Sequence, residues 1–289
     1  MDNFLIITNM EKDKDLRLTR TIEAYIQKAG KQSYLSQIST VTGNALLKDI
    51  ISKVECAIVL GGDGTIIQTA NDLMAYNIPI LGVNLGTVGF LAEIEEHHVE
   101  EALDSLFDDC YHVENRLMIQ GEVIHHINGP YDGGEIIHNA LNDIVIARKG
   151  FSRIISLGIY VNDELVDDFR GDGVIISTPT GSTAYNLSAG GPIVTSRANV
   201  MVITPICPHS LSPRSIVVSG DDHIKVAVRK SKKTQEAEAF ASFDGNKEID
   251  LSTDDMISIK KAQYDTKLIK LSNSGIYEVL RLKLGNNLN

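Results

Sequence analysis

Short apolar runs alternate with amphipathic stretches in the N-terminal part of the chain. Each run is brief and is followed by turn residues, which is typical of buried parallel strands. The runs predict strands at residues 4–8, 56–60 and 78–84. The stretches between them have apolar residues at helical spacing and predict helices at residues 15–30, 65–76 and 97–109. This alternation predicts a doubly wound α/β domain over residues 1–115.

The pattern changes near Asn115. Short β-rich segments follow, separated by Gly, Asn, Asp and Pro, without helical stretches between them. These segments cover residues 116–127, 142–148, 152–161, 173–178, 200–206, 215–219, 223–229, 239–243 and 256–260. Asn162 and Asp163 predict a tight hairpin between two of them. We therefore expect an all-β, sandwich-like domain over residues 116–273, and a C-terminal helix within 274–289 that packs back on the first domain.

The charge balance and the cysteines narrow the class of protein. The 289 residues include 27 Lys and Arg against 38 Asp and Glu, a formal net charge of -11. Such a chain is a poor general binder of nucleic acid or of an acidic membrane, because neutralising phosphates needs surplus Lys and Arg. The three cysteines include no C-x-x-C pair, and we expect Cys56 and Cys207 in the core. No apolar stretch approaches the ~20 residues of a membrane span, so a cytoplasmic location is expected.

The segment VLGGDGTIIQTA, residues 59–70, combines a strand end, three glycines and the start of a helix. Glycines at such a junction let backbone N–H groups approach an anion, and the helix dipole favours a phosphate there. The segment lacks the lysine of a P-loop and the spacing of a dinucleotide fingerprint, so a plain tight turn is the alternative. Asp63 within it could hold Mg²⁺ or accept a proton from an attacking hydroxyl group. A helix N-cap is the alternative for Asp63.

The pentapeptide GGDGT resembles the motif shared by NAD kinases, diacylglycerol-type lipid kinases and 6-phosphofructokinases. Three later segments, residues 140–146, 172–194 and 205–218, resemble substrate-binding segments of bacterial NAD kinases in order and approximate spacing. The resemblance covers most of residues 56–245. It implies transfer of the γ-phosphoryl group of ATP to the 2′-hydroxyl group of the adenosine ribose of NAD. It also implies a divalent cation, Mg²⁺, as cofactor and a homo-oligomer, either a dimer or a tetramer.

The resemblance also implies which residues bind the two nucleotides. Around the glycine segment these are Gly62, Asp63, Gly64, Thr65 and Phe90. Asp63 is the catalytic residue among them. In the β-rich half, Asn142 and Asp143 match a pair that binds NAD in the family, and a carboxylate can accept hydrogen bonds from both hydroxyl groups of a ribose. Without the resemblance, an Asn-Asp pair is more typical of a turn.

A run of small and hydroxyl-bearing residues, STPTGSTAYNLSAGG, follows the predicted strand 173–178. Such residues let a chain wrap closely around a ligand and donate hydrogen bonds without fixed charge, although an ordinary surface loop has the same composition. By resemblance, the NAD pocket is lined by Thr183, Ala184, Tyr185, Asn186, Leu187 and Ser188. Tyr185 offers a ring for stacking. Many family members have Ser where this chain has Asn186, which is expected to alter one contact.

Five further positions carry over from the family. They are Arg153, Arg170, Asp172, His209 and Asn246. Arginines at these places could neutralise a pyrophosphate. The alternatives are an exposed strand residue for Arg153, a turn for Asp172 and a hydrogen-bonded structural histidine for His209.

Two other functions are compatible with parts of the sequence. A lipid or sugar kinase would share the GGDGT segment, and a substrate screen with ATP would separate it from an NAD kinase. A non-catalytic sensor of NAD or NADP would bind the dinucleotide without releasing ADP.

Overall fold

The computed structural model describes residues 1–37, 49–86, 89–126, 136–150, 154–209, 214–230, 237–271 and 280–281. The chain divides into two compact units. The first consists of Met1–Arg116 together with Tyr264–Asn289, and the second of Leu117–Gln263. None of the helices in the described part is both long and apolar enough to cross a membrane.

The first unit is built on a mostly parallel sheet. Its strands are β1 (Asn3–Thr8), β2 (Gln32–Gln37), β3 (Cys56–Gly61), β4 (Ile80–Asn84), β5 (Ile94–Glu95), β6 (His112–Arg116) and β19 (Thr266–Lys270). They lie in the order β2-β1-β3-β4-β19-β6, and β5 pairs with the end of β4. The strands from β2 to β19 are parallel to their neighbours, whereas β6 runs antiparallel to β19.

Helices cover both faces of this sheet. They are α1 (Arg17–Lys28), α2 (Asp63–Leu73) and α3 (Val99–Phe107). The apolar sides of α1 and α3 share one core cluster with Phe4, Ile6 and Ile58 of the strands. Helix α2 lies on the opposite face, where a side chain on Gly82 would meet Ile66 at 2.5 Å. Gly82 is therefore the residue that lets α2 approach β4.

The second unit is a β-sandwich. Its strands are β7 (Ile119–Ile124), β8 (Ile136–Ala140), β9 (Asp143–Arg148), β10 (Ile155–Val161), β11 (Glu164–Gly171), β12 (Gly173–Ser177), β13 (Val200–Ile206), β14 (Ile216–Ser219), β15 (Ile224–Arg229), β16 (Glu238–Phe243), β17 (Lys247–Ser252) and β18 (Met256–Lys261). Two antiparallel sheets have the orders β11-β10-β15-β18-β7-β8 and β14-β13-β12-β9-β16-β17. Leu157 and Val226 of one sheet share a core cluster with Ile146 and Ile176 of the other. A short helix, α4 (Tyr185–Ser188), follows β12.

The predicted fold class is confirmed. The strands expected from the apolar runs form with small shifts at their ends, and Asn162 and Asp163 make the predicted hairpin between β10 and β11 with positive φ angles of 51° and 68°. Residues predicted as one helix over 97–109 begin as a 3₁₀ turn, Glu96–His98, before α3. The predicted C-terminal helix lies outside the described residues except for 280–281.

Two expectations about placement are corrected by the structure. Residues up to 273 were expected in the β-rich domain, but β19 pairs with β4 and β6 in the first sheet. The apolar character of a strand does not indicate which sheet it joins. Cys207 was expected in the core; it is exposed, because β13 ends at Ile206 and Cys207 turns away with a φ of 44°.

Candidate active site

The carboxyl ends of β1, β3 and β4 meet at one edge of the first sheet. Asn9 follows β1, and its N–H group donates to the carbonyl oxygen of Leu60 at 3.0 Å. Asn84 ends β4, and the N–H group of Leu85 donates to the carbonyl oxygen of Gly61 at 2.8 Å. In open parallel sheets, this edge is where ligands bind.

The glycine segment joins β3 to α2 at that edge. A Cβ atom on Gly61 would lie 2.4 Å from Oγ1 of Thr65, so only glycine fits there. Gly62 is the N-cap of α2, and no side chain in the described part of the chain caps the helix. The first N–H groups of a helix have no partner within the helix, so this uncapped end can receive an anion. Gly64 is exposed and has open space around it.

Thr65 was implied as a nucleotide ligand, but its hydroxyl group faces into the unit. The side chain is buried, and Oγ1 accepts a hydrogen bond from Nδ2 of Asn9 at 3.1 Å. This bond ties the turn after β1 to the start of α2. Thr65 therefore shapes the glycine segment, and Asn9 is a supporting residue that the sequence did not indicate.

Asp63 anchors a neighbouring segment of backbone. Its carboxylate accepts hydrogen bonds from the N–H groups of Phe90 at 2.7 Å and Leu91 at 3.2 Å. A Cβ atom on Gly89 would lie 1.9 Å from Oδ1 of Asp63, so glycine is required beside it. The N-cap alternative for Asp63 is wrong, because Gly62 takes that position. The structure places the implied ligand Phe90 directly beside Asp63.

A second group of candidate residues lies at one edge of the sheet that contains β9, β12 and β16. Antiparallel pairing brings the start of β9 next to the ends of the other two strands: Asp143 pairs with Ser177, and Ile144 pairs with Phe243. The residues that precede or follow these ends are Asn142, the segment 178–188 and the turn at Asp244. Residues far apart in sequence are thereby collected at one place in the second unit.

Asp244 holds the backbone of the Asn-Asp pair. Its carboxylate accepts the N–H groups of Leu141 at 2.8 Å, Asn142 at 2.7 Å and Asp143 at 3.1 Å. Its own N–H group donates to the carbonyl oxygen of Asp143 at 3.0 Å. Asp244 was not among the residues predicted from the sequence, although the Asp-Gly turn at the end of a predicted strand was a usable signal. The predicted ligand Asn246 lies in the same turn, where it is exposed.

Burial, as the larger cause, and the negative charge of Asp244 together raise the pKa of Asp143 to about 7. The side chain is 5% exposed. Both causes disfavour the ionised form, because desolvation and a neighbouring like charge act against a carboxylate. Asp143 is therefore a carboxyl group whose charge is poorly compensated within the unit, and a ligand that donates hydrogen bonds would stabilise it.

The segment after β12 packs directly on this pair. A Cβ atom on Gly181 would lie 2.0 Å from the carbonyl oxygen of Asn142, so glycine is needed for the contact. The N–H group of Thr178 donates to that same oxygen at 2.9 Å, and its hydroxyl group donates to the carbonyl oxygen of Leu141 at 2.5 Å. These contacts fix the segment from Gly181 to Ser188 beside Asn142 and Asp143.

The predicted ligands of this segment differ in availability. Tyr185 is 46% exposed, Ser188 is exposed, and Thr183, Ala184 and Leu187 are half-buried. Asn186 is fully buried. Its amide nitrogen donates to the carbonyl oxygen of Ser182 at 3.2 Å and to that of Pro192 at 3.0 Å. Its amide oxygen accepts a hydrogen bond from the hydroxyl group of Thr204 at 2.7 Å. The Asn186 side chain thus braces the segment internally. Asn at position 186, where many family members have Ser, was expected to alter one contact with the ligand. The hydrogen bonds that the Asn186 side chain makes within the chain give that expectation no support.

Arg170, Asp172 and His209 lie around the junction of β11 and β12. Arg170 is exposed, and its carbonyl oxygen accepts the N–H group of His209 at 2.7 Å. Asp172 separates the two strands, and its carboxylate accepts a hydrogen bond from Nε of Arg148 at 2.6 Å. Arg148 is a basic residue that sequence analysis missed. Arg153 lies outside the described residues.

A metal cage is absent from the part of the chain that the structure describes, since no three or more His, Cys, Asp or Glu side chains converge there. Mg²⁺ commonly binds through one or two carboxylates together with substrate phosphates, without a dedicated protein cage. The Asp63 carboxylate fits that mode.

Two family models match the chain. Residues 4–111 match the model of the ATP-NAD kinase N-terminal domain, and residues 141–271 match that of the ATP-NAD kinase C-terminal domain. A relative from Lachnoclostridium phytofermentans, named NAD kinase, is 49% identical over 290 residues, which covers 99% of each chain. A relative of the same name from Agathobacter rectalis is 41% identical, with 99% of each chain covered.

Solved structures of lower sequence identity have the same fold. Yeast NADH kinase, crystallised with NADH, superposes with a TM-score of 0.81 at 23% sequence identity. The match covers 100% of this chain and 89% of the yeast chain. An NAD kinase from Archaeoglobus fulgidus in complex with ATP superposes with a TM-score of 0.76 at 24% sequence identity, and the match covers 98% of both chains.

The raised pKa of Asp143 predicts a pH-dependent gain in stability from Asp143→Asn. The folded state keeps the proton up to about pH 7, whereas the unfolded chain releases it at its ordinary pKa of 3.8, so the wild-type stability falls as the pH rises between these values. A neutral amide of the same shape avoids this loss. We expect the gain in free energy of unfolding to be small near pH 4 and to reach on the order of 2 kcal/mol above pH 7.

Urea unfolding at a series of pH values measures this gain. The matched control is Asp15→Asn, which changes an exposed aspartate of the first unit. A difference between Asp143→Asn and wild type that stays constant from pH 4 to pH 8 would contradict the burial of this charge.

Proposed function

We propose that this chain, which belongs to the ATP-NAD kinase family, transfers the γ-phosphoryl group of ATP to the 2′-hydroxyl group of the adenosine ribose of NAD. The products are NADP and ADP. The observation that carries the proposal within the fold is the uncapped end of α2, which begins in a glycine segment and has Asp63 in its first turn.

The glycine segment is proposed to bind the phosphates of ATP. The N–H groups that have no partner within the helix at the start of α2 would donate to the phosphate oxygens, and the helix dipole would add to the attraction. The reaction joins the 2′-oxygen to the γ-phosphorus and breaks the bond to the oxygen that bridges to the β-phosphorus. Because the transition state is loose and highly charged, positioning and electrostatic stabilisation supply most of the rate enhancement.

Asp63 is proposed to accept the proton of the 2′-hydroxyl group. Its two hydrogen bonds from Phe90 and Leu91 hold the carboxylate in one orientation, which reduces the entropy lost when the hydroxyl group is aligned. Each carboxylate oxygen can accept more than one hydrogen bond, so the anchoring role leaves room for a substrate hydroxyl. Mg²⁺ is proposed to enter with the phosphates of ATP and to neutralise their charge.

NAD is proposed to bind at the second group of residues. Asp143 suits the hydroxyl groups of a ribose, since its buried carboxyl group gains from any donor that reaches it. The exposed ring of Tyr185 suits stacking on a base or nicotinamide ring, and Arg170 suits the pyrophosphate. Thr183, Ala184, Leu187, Ser188, His209 and Asn246 complete the proposed contacts.

All three cysteines are free, as is usual in the reducing cytoplasm, where we place the protein.

The purified protein should form NADP from NAD and ATP in the presence of Mg²⁺. A dehydrogenase specific for NADP, coupled to the reaction, measures the product, and NAD that lacks the 2′-hydroxyl group of its adenosine ribose is the matched control that should give none. NAD binding without release of ADP would identify a sensor instead. Phosphorylation of a diacylglycerol or of fructose 6-phosphate in place of NAD would also overturn the proposal.

Asp63→Asn should lower kcat for NADP formation by about 10²–10⁴, because the variant removes the proton acceptor. Asparagine can accept only one of the two backbone N–H groups that Asp63 holds, so a stability loss of about 1 kcal/mol should accompany the change. Initial-rate kinetics and thermal unfolding are measured on the same sample.

Leu91→Ala is the control for the loss of anchoring. It loosens the same segment by removing buried apolar surface but keeps the N–H group and the Asp63 carboxylate. If Leu91→Ala lowers both the stability and kcat as much as Asp63→Asn does, Asp63 acts as an anchor and its catalytic role is lost.

A homo-oligomer, dimer or tetramer, is proposed to form through the second unit. Three edge strands of its two sheets carry exposed apolar side chains: Leu165 and Val166 on β11, Val217 on β14 and Ile137 on β8. Exposed strand edges with apolar side chains favour pairing with another chain unless they are covered.

Light scattering at micromolar concentration should give a mass of two or four times 31.6 kDa. A double change, Val217→Lys with Leu165→Lys, should shift the protein towards smaller species, because a charge is costly to bury at an interface. Val113→Lys, on an exposed strand of the first unit, is the control and should leave the mass unchanged. A wild-type monomer would refute the proposal.

A further inference from the structure

Lys12 places its ammonium group against the glycine segment. A Cβ atom on Gly62 would lie 2.9 Å from Nζ of Lys12, and one on Gly86 would lie 3.2 Å from it. These two glycines follow β3 and β4, so the amine lies where the ends of both strands meet. The absence of side chains on Gly62 and Gly86 is what lets the amine come this close.

The backbone that carries Lys12 is fixed at both of its ends. The N–H group of Lys12 donates to the carbonyl oxygen of Asn9 at 3.0 Å, and Asn9 is itself bonded to Leu60 and Thr65. On the other side, the carboxylate of Asp13 accepts from the N–H and hydroxyl groups of Thr19 at 2.9 Å and 2.7 Å. The turn therefore fixes the backbone of Lys12 next to the glycine segment, and its exposed side chain reaches Gly62 and Gly86 from there.

The charge of Lys12 is uncompensated in the part of the chain that the structure describes, where no carboxylate forms an ion pair with it. Asp63, the carboxylate of the glycine segment, accepts hydrogen bonds from the N–H groups of Phe90 and Leu91 and forms no ion pair with Lys12 among the described residues. In a chain with a net charge of -11, an unpaired cation beside an uncapped helix end makes a local site for an anion.

We propose that Lys12 binds the phosphates of the nucleotide donor. A P-loop takes this cation from its own sequence, directly after its last glycine. Here the segment GGDGT continues without a lysine, and the turn after β1 brings the amine of Lys12 to the glycine segment instead. The ammonium group neutralises phosphate oxygens as a point charge and reduces the cost of the charge that develops on the departing ADP. This inference rests on the proposed kinase function.

Lys12→Met tests the role, because methionine keeps much of the length and apolar stem of lysine but carries no charge. We expect kcat/KM for ATP to fall about ten- to a hundredfold, the range for loss of a hydrogen bond to a charged group, while KM for NAD stays within about twofold. Lys12→Arg should restore part of the loss. The matched control is Lys14→Met, since Lys14 is an exposed lysine two residues along the same turn.

Inorganic tripolyphosphate identifies the part of the nucleotide that Lys12 contacts. As a competitor of ATP it should inhibit Lys12→Met about ten- to a hundredfold less strongly than wild type, whereas inhibition by adenosine should be unchanged, because Lys12 contacts phosphates only. Equal tripolyphosphate inhibition of the two proteins, or an equal loss in Lys14→Met, would overturn the assignment.

Calorimetry of ATP binding separates this inference from the proposed function. If wild type binds ATP but makes no NADP, the kinase function fails, and the affinity difference between wild type and Lys12→Met still decides the role of Lys12. If wild type makes NADP and Lys12→Met matches it in ATP affinity and in kcat/KM, the inference about Lys12 fails alone.

Discussion

Hydrogen bonds from backbone N–H groups to aspartate carboxylates hold the segments that carry both groups of candidate residues. In the first unit, Asp63 fixes the backbone at Phe90 and Leu91. In the second, Asp244 accepts three consecutive N–H groups, those of residues 141–143. A bond to an ionised acceptor is roughly twice as strong as one between neutral groups, and it satisfies amides that the ends of strands leave unpaired. These bonds therefore help to set the backbone geometry that each segment offers to a ligand.

The same bonds make an acidic protein compatible with polyanionic substrates. A carboxylate beside a phosphate site repels the ligand, unless donors surround it or it carries a proton. Asp63 meets the first condition through two amides. Asp143 approaches the second, because burial and Asp244 raise its pKa to about 7. Local compensation at each position, rather than the overall charge of -11, therefore determines whether an anion can bind.

The sequence was sufficient for the fold class and for most of the buried strands, because apolar periodicity and turn residues are local signals, but it did not predict β2, β6, β8, β17 or β19. Asn162 and Asp163 specify a hairpin wherever it lies, and GGDGT marks a strand end followed by a helix. The sheet to which β19 belongs was not predictable, since its partners β4 and β6 lie more than a hundred residues earlier in the chain. Pairing at such distances leaves no trace in periodicity.

The candidate site was predictable as a set of motifs but not as a set of contacts. The family resemblance pointed to Asp63, Asn142 and Asp143, yet the residues that orient them come from elsewhere. Asp244, which holds Asn142 and Asp143, follows β16, and the N–H groups that hold Asp63 belong to Phe90 and Leu91, which follow β4. The resemblance was least informative at Asn186, where the change from the usual Ser is absorbed by three hydrogen bonds within the chain. A substitution inside a binding motif can thus act on the support of the motif and leave its ligand contacts alone.

The two central carboxyl groups have opposite environments, and this difference matches the two tasks assigned to them. Asp63 is half-buried and already bonded to two amides, so its position is set before a substrate arrives, as a group that must meet a reacting hydroxyl requires. Asp143 is almost fully buried beside a like charge. Donors on a bound ribose would supply the hydrogen bonds that its ionised form lacks, so the proposed binding of NAD there would relieve a cost in stability that burial imposes on Asp143.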